Sequence, residues 1–121
     1  MRCVIVDDSE QFLRAASSTL SRSGIEVVGT ARTSAAALEQ VGKLRPDVVL
    51  VDIGLGAESG FELTVKLVDA FPYLASRVVL ISTRAEDDYR ELVDTSPAAG
   101  FIAKTELSAS PLRELVPPND S

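Results

Sequence analysis

Residues 48–56 read VVLVDIGLG: four consecutive apolar residues, three of them valine, run straight into an aspartate. An unbroken β-branched run differs from the alternating pattern of a half-exposed strand. It calls for cover on both faces, as in a parallel sheet. Working outward, four more short apolar runs are spaced along the chain: Cys3 to Val6, Val27 to Val28 with its flanks, Val78 to Ile81, and Phe101 to Ala103. Segments of helical period separate them. Phe12, Leu13, Ala16 and Leu20 recur at three- and four-residue steps from Ser9 to Arg22, and Gly24 follows as a stop. Ala37, Leu38, Val41 and Leu44 mark a second helix, with Ser34 as its expected cap and Pro46 closing it. A third is expected over about 59–70, with Phe61, Val65 and Val68 as its stripe, and a fourth over about 85–95, carrying Tyr89, Leu92 and Val93 behind an acidic first turn of Glu86, Asp87 and Asp88. Pro111 suits the first turn of a short last helix after a Ser110 cap, ending before Pro117 and Pro118. Residues 119–121 read as a frayed end.

Five β-α alternations predict an open, doubly wound α/β fold, a five-stranded parallel sheet with five helices and right-handed crossovers. Length agrees with one domain. A chain of 121 residues should bury roughly two-thirds of its unfolded surface and needs no metal or disulfide staple. With 18 acidic against 12 basic side chains and a net charge of -6, direct nucleic-acid or anionic-membrane binding is disfavoured. Cys3 has no partner for an internal disulfide, so a reducing, cytoplasmic setting is expected, with the thiol a small buried hydrophobe. No apolar stretch reaches the ~18 residues of a membrane span, and Asp7 and Asp8 interrupt the first run too early for a signal peptide.

Ligands of such sheets gather at the carboxyl ends of the strands, and there the sequence is polar. The first run ends in Asp7 and Asp8, the third in Asp52, the fourth in Ser82 and Thr83, and the fifth in Lys104. Singly, each has an ordinary explanation: Asp8 as a helix cap, Ser82 as a strand-end residue, Lys104 as a solvated charge. Together, three carboxylates on one edge raise one another's pKa unless a cation compensates them. An all-oxygen set with open positions suits Mg²⁺, which binds through one or two carboxylates plus a phosphate. An aspartate nucleophile, a lysine and a hydroxyl then complete what phosphoryl transfer requires. The chain has no histidine, so it has no His base and no internal phosphohistidine.

These residues resemble the receiver domain of two-component response regulators, a flavodoxin-like fold, over almost the whole chain: residues 1–116 as the receiver, 117–121 as a tail or the start of a linker. The resemblance implies that Asp52 is the phosphoacceptor and that Asp7 and Asp8 are the acidic pair for Mg²⁺. It implies Gly54 as a metal ligand through its backbone carbonyl, Lys104 in GFIAK as the phosphoryl-binding lysine, and Ser82 in VVLIST as the switch hydroxyl beside Thr83. Gly60 in ESGFEL matches the glycine that opens the third helix, and Phe101 the aromatic that swings with Ser82. Two departures stand out: Gly56 and Thr105 occupy places where proline is frequent, and the GFIAK style without proline is similar to receivers that precede a helix-turn-helix domain. Gly54 and Arg84 lack the acid or amide that would position water, which implies slow self-dephosphorylation.

The implied partners are a sensor histidine kinase as phosphodonor and a downstream protein or output domain that meets the remodelled face of the fourth helix, fifth strand and fifth helix. The same face could support a homodimer. Beyond accepting and losing its own phosphoryl group, the chain is not expected to be an enzyme. A phosphatase of the haloacid dehalogenase type would need an acid where Gly54 stands. A receiver-like module that is never phosphorylated is the alternative reading, although such relatives usually lack one of the acids or the lysine, all of which this chain keeps.

Overall fold

Where the chain carries unbroken apolar runs, it forms the strands of one parallel sheet. A computed structural model describes residues 1–83 and 90–116. The five strands are β1 (Arg2–Val6), β2 (Glu26–Ala31), β3 (Val48–Asp52), β4 (Val78–Ser82) and β5 (Gly100–Ala103), in the order β2-β1-β3-β4-β5. Every pairing in it is parallel. The three central strands match the continuous runs: all residues of β3 and β4 are buried, as are Cys3 to Val6 of β1. Edge strand β2 is mostly half-exposed, which is why its apolar signal shrinks to two valines.

Five helices cover both faces: α1 (Glu10–Arg22), α2 (Ser34–Leu44), α3 (Gly60–Ala70), α4 (Arg90–Thr95) and α5 (Ala109–Leu115). Strand alternation divides the core in two. Val4, Val6, Val49, Val51 and Leu80 pack with residues of α2, α3 and α4. On the other face Cys3, Ile5, Leu50, Val79 and Ile81 pack with α1 and α5. The doubly wound fold expected from the sequence is therefore present, with the order that places a switch point between β1 and β3.

Several local expectations are corrected. The cap of α2 is Thr33, whose hydroxyl accepts the Ala36 N–H at 3.1 Å, while Ser34 is the first helical residue and is buried. Ser9, not Asp8, caps α1. Ser108 precedes α5 in extended conformation, so the helix starts before Ser110, with Pro111 still in its first turn. The buried stripe of α3 is Gly60, Leu63, Thr64 and Leu67, leaving Val65 exposed. Thr64 can occupy this face because its hydroxyl donates to the Gly60 carbonyl at 2.8 Å. In α4, Val93 is buried and Leu92 exposed. The expected start of the fourth helix, Arg84, Tyr89, and the tail 117–121 lie outside the described residues. No helix among the described residues is long and apolar enough to cross a membrane.

Candidate functional site

The carboxyl edge of the sheet gathers the polar strand ends. The Asp7 N–H continues the β1–β2 ladder to the Ala31 carbonyl at 3.0 Å, and Asp7 is fully buried. Asp8 is exposed beside it. Asp52 closes β3 opposite Ile81 and is buried. One carboxylate oxygen each from Asp7, Asp8 and Asp52 lies within 4.8 Å of the others. Lys104 follows β5 in a short 3₁₀ turn, Lys104–Glu106, with a trans peptide to Thr105. Its Nζ is 2.6 Å from Asp7 Oδ2 and 3.4 Å from Asp52 Oδ2.

Asp7 and Asp52 each have one oxygen held by a backbone amide, and Asp52 Oδ2 also accepts from the Lys104 ammonium. Asp7 Oδ1 accepts the Ser9 N–H at 2.8 Å, and Asp52 Oδ1 accepts the Gly54 N–H at 3.3 Å. Asp7 Oδ2 is different: it is buried and close to the ammonium, yet off the direction of a hydrogen bond, so it accepts none. An ammonium at that range satisfies charge better than it satisfies a lone pair. Burial pushes the Asp52 carboxyl above its ordinary value and the Asp7 charge adds to the shift, while Lys104 and the Gly54 amide oppose it. Among the described residues the edge thus holds more negative charge than Lys104 neutralises. Hard oxygen donors, an unbonded buried carboxylate oxygen and a residual charge fit a divalent ion of the Mg²⁺ type.

The segment between β3 and α3 is shaped for this edge. Gly54–Leu55 and Glu58–Ser59 form a small antiparallel ribbon, turning at Gly56 with φ +63. Proline, with φ fixed near -65°, has no access to that conformation, so this loop differs in kind from one carrying proline there. Gly60 is required for closeness: a Cβ on it would run into the Asp52 carbonyl and the Ile53 Cα. Its N–H donates to the Ile53 carbonyl at 2.8 Å. Ser82 is buried at the end of β4, paired in register with Ala103, the residue before Lys104, and Thr83 beside it is exposed. Phe101, partly buried and in register with Leu80, shares the Ser82 face and packs against the α2–α4 core.

Two contributors escaped the sequence. Phe12 packs its ring against the Lys104 ammonium, 4.3 Å from centroid to Nζ. Its spacing in α1 marked it only as one more apolar residue of the stripe. Glu58 accepts the Ser34 N–H at 3.0 Å, tying the ribbon to the start of α2, and this bond holds the exposed Glu58 carboxyl below its ordinary value. No sequence signal pairs residues that far apart.

The comparisons with known proteins agree with this fold. A family model described as the response regulator receiver domain matches residues 3–116. A protein-glutamate methylesterase/protein-glutamine glutaminase of Archaeoglobus fulgidus is 32% identical over 86% of this chain and 30% of its own length. The chain spans about half or less of the length of the curated relatives it matches most strongly. Among solved structures, the receiver domain of the putative response regulator NarL from Mycobacterium tuberculosis superposes with a TM-score of 0.78 at 32% identity, covering 97% of both chains. A response regulator of Burkholderia pseudomallei with a phosphorylated aspartic acid, calcium ion and citrate gives a TM-score of 0.80 at 26% identity, covering 94% of this chain and 65% of its own.

Proposed function

The chain belongs to the response regulator receiver domain family, and on that premise we propose that it is a phosphorylation-dependent signalling switch with Asp52 as phosphoacceptor. The observation that carries this reading is the convergence of Asp7, Asp8 and Asp52 within 4.8 Å, with the Lys104 ammonium 3.4 Å from Asp52 Oδ2. A phosphorylated aspartate and a divalent ion in the Burkholderia relative support it.

In the reaction an Asp52 carboxylate oxygen attacks the phosphorus of a phosphohistidine on a partner kinase. An O–P bond forms, the N–P bond breaks, and the histidine ring leaves with its electron pair. Asp7, Asp8, Asp52 and the Gly54 carbonyl would hold Mg²⁺, which when bound supplies positive charge against the phosphoryl oxygens. Lys104 adds a fixed ammonium on the same side. Gly60 lets α3 lie directly against the Asp52 peptide, so the acceptor is positioned by backbone packing rather than by a mobile side chain. The Ser82 hydroxyl donates a hydrogen bond to the new phosphoryl group, and Phe101 on the same face of the sheet follows into the space it leaves. Those movements remodel the α4, β5 and α5 face for a downstream protein or output domain, or for a second copy of the chain.

The receiver unit comprises residues 1–116, in the cytoplasm, and this chain matches only 30% of the length of the relative whose name carries a methylesterase activity. This chain's own chemistry is to accept the phosphoryl group and to lose it slowly, because neither Gly54 nor Arg84 offers an acid or amide to position water. The test is incubation with Mg²⁺ and acetyl phosphate followed by intact mass. Wild type should gain one phosphoryl group, and Asp52→Asn and metal-chelated wild type none. An unmodified wild type under conditions that saturate it with Mg²⁺ would replace this reading with that of an unphosphorylated interaction module.

A further inference from the structure

Four contacts form a closed circuit around Lys104. Asp7 Oδ1 accepts the Ser9 N–H at 2.8 Å, and Ser9 Oγ accepts the Phe12 N–H at 3.2 Å. The Phe12 ring lies 4.3 Å from Lys104 Nζ, and that nitrogen returns to Asp7 Oδ2 at 2.6 Å. The first turn of α1 is therefore anchored to the same aspartate that the lysine contacts. The backbone that carries the ring is thus tied to the same edge of the sheet. The negative face of an aromatic ring attracts a cation, more strongly when water is kept away, and the Lys104 side chain is only 13% exposed.

This placement has a chemical cost for metal binding. Asp7 Oδ1 already accepts one amide, whereas Oδ2 accepts no hydrogen bond and is the oxygen with both lone pairs open to an ion, and the ammonium sits 2.6 Å from it. We propose that Phe12 is a positioning residue whose ring seats the Lys104 ammonium between Asp7 and Asp52, making the lysine a competitor of the divalent cation for Asp7. The competition rests on the receiver reading, whereas the seating of the lysine does not. With the ring present, the ammonium is held near Asp52, where it serves the incoming phosphoryl group, at the expense of metal affinity. Without it, the lysine swings toward solvent, the metal binds more tightly, and phosphoryl acceptance slows.

Phe12→Leu keeps an apolar side chain and removes the ring face; Phe12→Tyr restores the face. Three measurements decide the matter. In wild type the Lys104 ε-methylene protons should show an upfield ring-current displacement by NMR, lost in Phe12→Leu and regained in Phe12→Tyr. Titration calorimetry should give Phe12→Leu at least about threefold tighter Mg²⁺ binding, with a similar loss in the rate of adduct formation from acetyl phosphate, consistent with the strength of such contacts. In a Lys104→Met background Phe12→Leu should change Mg²⁺ affinity by less than that factor. Equal Lys104 signals in wild type and Phe12→Leu, or the same Mg²⁺ shift with and without the lysine, would overturn the proposal. A wild type that shows the displaced Lys104 signal and binds Mg²⁺ but forms no adduct would retire the phosphoacceptor reading while leaving the role of Phe12 standing.

Discussion

The two ends of the sheet solve opposite charge problems. At the amino-terminal edge Asp47 stands among Arg2, Arg45 and Arg77, and the hydrogen bonds that join them all run to backbone. Asp47 Oδ2 accepts the Arg2 N–H at 2.8 Å, Arg77 donates to the Asp47 carbonyl at 3.3 Å, and Arg2 donates to the Arg45 carbonyl at 3.1 Å. Arg45 stacks 4.4 Å from the centroid of Tyr73, whose hydroxyl donates to the Pro46 carbonyl at 3.1 Å. At the carboxyl edge, among the described residues, three carboxylates face the Lys104 ammonium, and a buried oxygen of Asp7 accepts no hydrogen bond. Bonds to backbone at one end and an excess of carboxylates at the other separate a charged cluster that builds the fold from one that the fold leaves uncompensated among the described residues.

The largest effect that tests this contrast is at Asp52. Asp52→Asn should abolish the phosphoryl adduct altogether by intact mass, and it should also raise the thermal midpoint measured without metal. The sign follows from the raised Asp52 carboxyl: the folded form holds its proton more firmly than the unfolded one, whose ordinary value is 3.8. Its favourable contribution is full below that pH and is lost as pH rises through the higher folded value. The advantage of Asp52→Asn over wild type should thus grow across that window and level off above it. A pH-independent difference would mean that Asp52 is already compensated.

Lys104→Met removes the ammonium paired with Asp7 and Asp52. Breaking such a largely buried pair should cost about 3 kcal/mol in urea unfolding without metal, with recovery in excess Mg²⁺. Gly60→Ala should cost about 2 kcal/mol by overpacking against the Asp52 peptide, and Mg²⁺ should not repair it, because the fault is steric. Tyr73→Phe, at the amino-terminal edge, should cost about 1 kcal/mol for one lost hydrogen bond and leave Mg²⁺ affinity unchanged. If Tyr73→Phe altered metal binding by calorimetry, the two ends would be coupled and the contrast between them false.

The central strands are legible because burial on both faces leaves only one kind of sequence, and the convergence of Asp7, Asp52 and Lys104 because each stands where a strand of the sheet stops. What sequence could not supply was contact between distant segments. Thr64 was invisible as a core residue, since its hydroxyl is excused from water by the Gly60 carbonyl one turn back, while Val65 was mistaken for core because it is apolar. Thr33 and Ser34 are both good caps by composition, and only the extended backbone of Thr33 decides between them. Phe12 fits a helical stripe whether it meets a leucine or an ammonium. Gly60 was recognised by resemblance, but its reason, the absence of room for a Cβ beside Asp52, belongs to the packing.

Cys3 lies in the strand between the β2 edge and the site-bearing β3, with no exposure to solvent, and burial pushes its thiol up to about 12. It is also the one cysteine of the chain. A thiol that neither ionises nor meets reagent in the native state reacts only when the sheet opens, so the rate of its alkylation is a built-in clock for the opening of the whole domain. The same inertness leaves any cysteine introduced on the α4 surface as the sole site for a spectroscopic label.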